Sequence, residues 1–271
     1  MNAVEFRHAP SGSRATVVPE RGGIVTRLLL AGRERLYLDE ATLADSTKNV
    51  RGGIPLLFPS PGKLEGGRFT RGGKTGAMKQ HGFSRDLPWT VTASFDAGLT
   101  LSLTSTEATR AVYPWDFALT LDLRLAATSL TMALTVKNTG TETMPFGFGI
   151  HPYFLVRDKG RASISTAAKQ AFDNVEKKHV PFRGFDLTAH EVDLHLLDHG
   201  SAESTLSLPG ERITVKTRPQ FSRWVVWTLA GKDFVCLEPW TCPGDALNTG
   251  ESLRELRAGA GEMLEIVVDA V

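Results

Sequence analysis

Leu99-Thr100-Leu101-Ser102-Leu103-Thr104-Ser105 alternates apolar and hydroxyl side chains with a period of two. That is the spacing at which a strand turns one face to a core and the other to water. The pattern returns in residues 117–125 (FALTLDLRL) and in 130–137 (LTMALTVK), the latter ended by the turn signal Asn138-Thr139-Gly140-Thr141. Three such segments joined by short turns read as an antiparallel meander. Shorter β-branched or alternating segments, broken by Gly or Pro, lie at 15–19, 24–30 and 35–38, and again at 212–217, 224–229, 234–238 and 263–269. No long stretch keeps a helical period; residues 41–45 suffice for one turn. With no repeat, linker or low-complexity tract, the expectation is a single all-β domain over residues 1–271, folded as a large antiparallel β-sandwich.

A chain of 271 residues, 41% hydrophobic, can bury most of its apolar surface without staples. Its 31 Lys and Arg against 30 Asp and Glu leave a formal charge of +1, so no field favours nucleic acid or an anionic membrane as partner. No apolar run has the length of a membrane span or a signal peptide. Two cysteines, Cys236 and Cys242, cannot make a disulfide framework and suit a reducing compartment. The expectation is a cytoplasmic protein that binds neither nucleic acid nor membrane.

Two long segments, 49–89 and 156–193, break the strand rhythm, and loops of that length in a compact domain commonly carry function. The first contains Arg51-Gly52-Gly53-Ile54-Pro55 and Gln80-His81-Gly82-Phe83-Ser84-Arg85. Its arginines offer planar donors for carboxylate, phosphate or vicinal hydroxyls, or they pair with Asp45 and Asp86 in a purely structural role. A second element, Phe146-Gly147-Phe148-Gly149-Ile150-His151-Pro152-Tyr153-Phe154, sets a histidine among aromatics and glycines before a proline. That is the setting of an acid/base group or of a hydrogen-bonded structural one. In the third, Cys236-Leu237-Glu238-Pro239-Trp240-Thr241, Glu238 closes an apolar strand. If buried, its raised pKa suits a general base; if not, it faces water. Trp240 offers a flat face to a sugar ring. His190, Glu191, His195 and His199 invite a metal reading, but helical spacing in strand-like surroundings argues against it. No nucleotide-type phosphate loop or nucleophile elbow is present.

Taken in order, RGGIPLLFP (51–59), QHGFSRDLPW (80–89), YPWDF (113–117), FGFGIHPYF (146–154), the Asp of EVDLHL (191–196) and CLEPWTCPGDALNTGE (236–251) resemble the aldose 1-epimerase (galactose mutarotase) superfamily. The similarity is closest to its glucose-6-phosphate 1-epimerase-like branch. The resemblance implies a β-supersandwich and ring opening by acid/base chemistry without a cofactor or metal. Carried over residue by residue, it implies His151 as the acid at the ring oxygen and Glu238 as the base at the anomeric hydroxyl, on opposite sides of the ring. It also implies His81 and Asp193 as substrate-binding residues, and it likens Arg51 and Arg85 to the arginines of the sugar-phosphate branch. YPWDF departs from that branch, which more often carries a histidine after the Tyr-Pro or Trp-Pro pair. The expected substrate is a free aldose or, as the arginines suggest, a hexose 6-phosphate. A non-catalytic carbohydrate-binding sandwich would keep Trp240 and the arginines but would need neither His151 nor Glu238.

Overall fold

The computed structural model describes residues 1–271. The three alternating segments form the middle of an eight-stranded antiparallel sheet. Its order is Ser163–Ser165, Glu203–Leu208, Glu211–Thr217, Gly261–Ala270, Ser129–Asn138, Phe117–Leu125, Gly98–Thr104 and Thr90–Phe95. Register follows the pattern: Leu119, Leu121 and Leu123 stand opposite Val136, Leu134 and Met132, all buried. Each such leucine contributes about 1.5–3 kcal/mol by burial. A slip of one residue would turn the whole row to water.

The second eight-stranded sheet carries the candidate motifs. Its order runs Lys178–Pro181, Gln170–Asp173, Glu191–Leu196, Arg223–Leu229, Phe234–Trp240, Gly149–Ile150 and Leu56–Leu57, with Tyr153–Leu155 also pairing to Phe234–Trp240. A cluster of 52 buried residues draws on both sheets, with Leu101, Leu121 and Leu134 from one and Leu196, Val226 and Leu237 from the other. Val4–His8, Ser13–Val18, Ile24–Leu30 and Arg33–Glu34 add a four-stranded sheet. The fold class is the one the alternation predicts, an antiparallel β-sandwich.

The segments read as long loops hold short strands. Residues 156–193 contain Ser163–Ser165 and the hairpin Gln170–Asp173/Lys178–Pro181, and residues 49–89 contain the hairpin Arg68–Arg71/Lys74–Ala77. These strands are three or four residues long, too short to show a period. Thr90–Phe95 also escaped the sequence pattern, because this edge strand exposes nearly every residue. The expected strand at 35–38 resolves into isolated bridges, Leu36 to Phe154 and Leu38 to Gly52. The helical turn at 41–45 is present as Glu40–Ala44, capped by Asp39, whose carboxylate accepts from the Ala41 and Thr42 amides. Cys236 and Cys242 are free and buried, and no helix is long and apolar enough to cross a membrane.

Candidate active site

Glu238 and Trp240 sit two apart on Phe234–Trp240, a strand that is buried along its whole length. Two-residue spacing puts both on one face. The chain from Gly149 to Leu155 runs antiparallel beside it and sets His151 against that face. His151 Nε2 lies 3.2 Å from Glu238 Oε1, and the Trp240 indole N–H donates to Glu238 Oε2 at 3.1 Å. Glu238 is 1% exposed and His151 7%. Burial, then the nearby Asp193 charge, pushes the Glu238 carboxyl well up. Burial, then the neighbouring His81 and the Arg85 charge, pulls His151 well down. Both shifts disfavour the charged forms of the two groups.

The 49–89 segment crosses over this pair. Gly53 has φ +65°, and a Cβ there would stand 2.4 Å from the Val25 carbonyl oxygen, so only glycine lets the backbone bring Arg51 to the rim. His81, with φ +72°, is held in a left-handed conformation uncommon for a side-chain-bearing residue, a strain that folds keep chiefly at functional sites. Its Nδ1–H donates to the Pro61 carbonyl, which leaves Nε2 as an acceptor. Burial, then the Arg85 charge, lowers its pKa to about 3, so it is neutral. Asp193 comes from the strand Glu191–Leu196. Burial alone would raise its carboxyl, but hydrogen bonds from His195 (3.4 Å) and Asn174 (2.6 Å) outweigh that and hold it below the usual carboxylate range.

All seven residues singled out from the sequence (Arg51, His81, Arg85, His151, Asp193, Glu238 and Trp240) line one open cleft of about 1160 Å³. Neither arginine has a carboxylate partner. Asp45 pairs with Lys48 at 3.4 Å and Asp86 with Lys79 at 3.2 Å, so the structural pairings considered from sequence do not form. Arg85 donates to the Gln80 carbonyl at 3.0 Å, while its buried Nε has no partner. The two expected proton carriers, His151 and Glu238, stand in contact on one wall of the cleft. Trp240 is 3% exposed, which leaves little of it as a platform for a sugar.

Sequence reasoning missed His195, Asn174, Tyr153 and Trp227, which line the same cleft. His195 carried a legible signal, two residues from Asp193 on one strand, hidden by reading it at helical spacing with His199. That metal cluster does not assemble. Glu191 accepts from the Trp227 indole, His199 hydrogen-bonds the Ser201 carbonyl, and His195 turns to Asp193. His151, Cys236 and Glu238 do bring imidazole, thiol and carboxylate donors within 4.8 Å of one another. His151 Nε2 and Glu238 Oε1 stand 3.2 Å apart, so two of those three donors already face each other.

A buried carboxylate touching a buried imidazole, beneath a cleft rimmed by unpaired arginines, is equipped for proton transfer on a polar small molecule. The family model described as aldose 1-epimerase matches residues 4–262. The chain belongs to the aldose 1-epimerase family. Among curated relatives, a Cenchrus ciliaris protein is 27% identical over 160 residues and an Escherichia coli K12 protein 29% identical over 153. Both carry the provisional name glucose-6-phosphate 1-epimerase. Each match covers 54% of this chain and less than half of the relative, 45% and 46% respectively. Among solved structures, the Slr1438 protein from Synechocystis sp. PCC 6803 superposes with a TM-score of 0.96 at 34% identity, covering 99% of this chain and 95% of its own. A galactose mutarotase-like protein from Lactobacillus casei matches with a TM-score of 0.81 at 22% identity over 100% of both chains, a likeness of fold.

Proposed function

We propose that this epimerase-family protein interconverts the α and β anomers of an aldose, with Glu238 as general base, His151 as general acid and a hexose 6-phosphate as preferred substrate. The observation that carries the reading is the 3.2 Å contact between Glu238 Oε1 and His151 Nε2 at the floor of a polar cleft. Ring opening of a hemiacetal removes a proton from O1 and adds one at O5, and both oxygens are bonded to C1. Two proton carriers in contact on one wall can therefore serve both, without reaching around the ring. The proton count closes within the pair. Carboxylate with imidazolium, the charged arrangement that burial disfavours, opens the ring form, and carboxylic acid with neutral imidazole accompanies the open aldehyde. Rotation about C1–C2 and the reverse transfer give the other anomer. Burial thus favours the open-chain side of the transfer, and forming the charged arrangement against the two shifts is part of the barrier that the pair must cross.

His81 Nε2, as an acceptor, and the Asp193 carboxylate would hold ring hydroxyls. Arg51 and Arg85, cationic and without carboxylate partners, would take the 6-phosphate by charge-assisted hydrogen bonds. The departure in YPWDF lies away from this chemistry. Tyr113, Trp115 and Phe117 are core aromatics and Asp116 is bound by Arg110, so none of them reaches the cleft. The reading treats residues 1–271 as one domain, supported by the core that both sheets share.

The test is anomer exchange followed by NMR for a panel of hexoses and hexose 6-phosphates. The reading expects exchange above the buffer rate, with higher kcat/KM for a 6-phosphate. Equal kcat/KM for the free and phosphorylated sugar would remove the phosphate assignment, and no exchange with any member would remove the activity.

A further inference from the structure

The Trp240 indole is held on every side by features that a sugar platform would not need. Its partner across the sheet is Gly149, where a Cβ would stand 2.5 Å from the indole Cδ1. A Cβ on Gly62 would stand 3.2 Å from Cζ3. Gly149 thus makes room for the indole, and Gly62, where a Cβ would first strike the Gly244 backbone at 2.4 Å, lies against its far edge. His81 and His195 meet the indole in edge-to-face contacts, with centroids 5.9 and 5.3 Å away and planes at 77° and 83°. The ring is 3% exposed. Its one hydrogen-bonding group, Nε1–H, goes to Glu238 Oε2 at 3.1 Å. Glu238 has two oxygens, and this donor occupies one while the other faces His151.

We infer that Trp240 is a positioning residue: seated by Gly149 and Gly62, its indole N–H locks the Glu238 carboxylate so that Oε1 alone is presented to His151 and to the substrate. The inference rests on the function proposed above for Glu238. Without the donor, the carboxylate of a fully buried residue is free to rotate and loses a bond to its charged form. A hydrogen bond to a charged group has a net value that corresponds to roughly 10-fold or more. The titratable groups facing Glu238 are His151, Cys236 on its own strand, Tyr153 from the neighbouring chain, Asp193 from Glu191–Leu196 and Arg85 from the segment above, while its partner across the sheet, Val225, is apolar. Phe in place of Trp240 changes none of them.

The experiment is Trp240→Phe, which keeps an aromatic ring against Gly149 and removes the N–H together with the outer part of the indole. The expected result is a fall in kcat of about tenfold with KM within about twofold, the signature of an interaction used in the chemical step. The limb of the pH–kcat profile that reports loss of the Glu238 proton should also move to higher pH by about one unit, because the carboxylate has lost a donor. Gly149→Ala, which pushes the indole out of its slot, should move that limb the same way. A rise in KM with kcat and that limb unchanged would make Trp240 a sugar-contacting wall and overturn the inference. Should the unmutated protein exchange no aldose, the catalytic reading falls, yet the infrared carbonyl band of protonated Glu238 still tests the bond. Titration at higher pH in Trp240→Phe supports it, and coincident titrations refute it.

Discussion

The guanidinium carbon of Arg51 lies 5.4 Å from the centroid of the Trp227 indole. The cation is steadied by a flat ring instead of a carboxylate, so its hydrogen-bond donors remain available to an anion. With Arg85 also unpaired, the cleft offers two forks to a dianion. Arg51→Ala and Arg85→Ala should each lower kcat/KM for a hexose 6-phosphate by about 10–100-fold, mainly through KM. Turnover of the free hexose should persist, which erases the preference. Steady-state anomer exchange on both sugars reads this out, and a fall confined to kcat would place the arginines in the chemistry.

Glu238→Gln and His151→Asn each remove a proton carrier and little volume. Each should lose about 10²–10⁴-fold in exchange rate while circular dichroism stays that of a β-protein. The double variant should lose little more than the worse single one, because the two groups act in one cycle. Near-normal turnover of Glu238→Gln would end its assignment as base.

His81 makes stability depend on pH in a stated direction. Its folded pKa of about 3 lies below the ordinary histidine value of 6.5, so the unfolded chain binds the proton more readily. The stabilisation is complete above pH 6.5 and is lost as the pH falls towards 3, amounting to about 2 kcal/mol by pH 5. His81→Asn, which tolerates the left-handed backbone, should flatten denaturation midpoints between pH 7 and 5. An unchanged slope would mean that other groups carry the acid sensitivity.

Arg35 is 2% exposed, with Nε and Nη2 donating to the Leu30 carbonyl and Nη1 paired to Glu211. Glu211→Ala leaves a buried cation short of its counter-charge and should cost about 3 kcal/mol in urea unfolding. Arg35→Met combined with Glu211→Leu should recover most of that loss. A single variant as stable as the parent would show that water reaches Arg35.

What the sequence made legible follows from where each strand lies. Leu119, Leu121 and Leu123 declare their strand because one face is core and the other is not, and the central meander was readable from that contrast alone. Thr90–Phe95 and the hairpin at 170–181 lie at sheet edges, where neither face is fully buried and no period forms. The site was legible wherever a motif fixed both chemistry and place, as with His151 and Glu238. Asn174 was not, because its hydrogen bond to Asp193 bridges two strands whose pairing no local pattern encodes. Trp240 was legible as a residue of the cleft but its hydrogen bond to Glu238 was not, since nothing in Glu-Pro-Trp says which way an indole N–H points.

The sheet that bears the site divides its labour by position. Glu238 lies on a strand flanked on both sides, while the Gln170–Pro181 hairpin, with Asn174, Lys177 and His179 on the cleft wall, is the outermost pair of the same sheet. A central strand cannot lengthen or shift without disturbing its neighbours, whereas a terminal hairpin is free to do both. On the function proposed above, the proton-transfer pair is thereby anchored and the substrate-facing wall is left adjustable. Grafting a hairpin of different length onto residues 170–181 is the natural route to a new aldose preference with the proton transfer left intact.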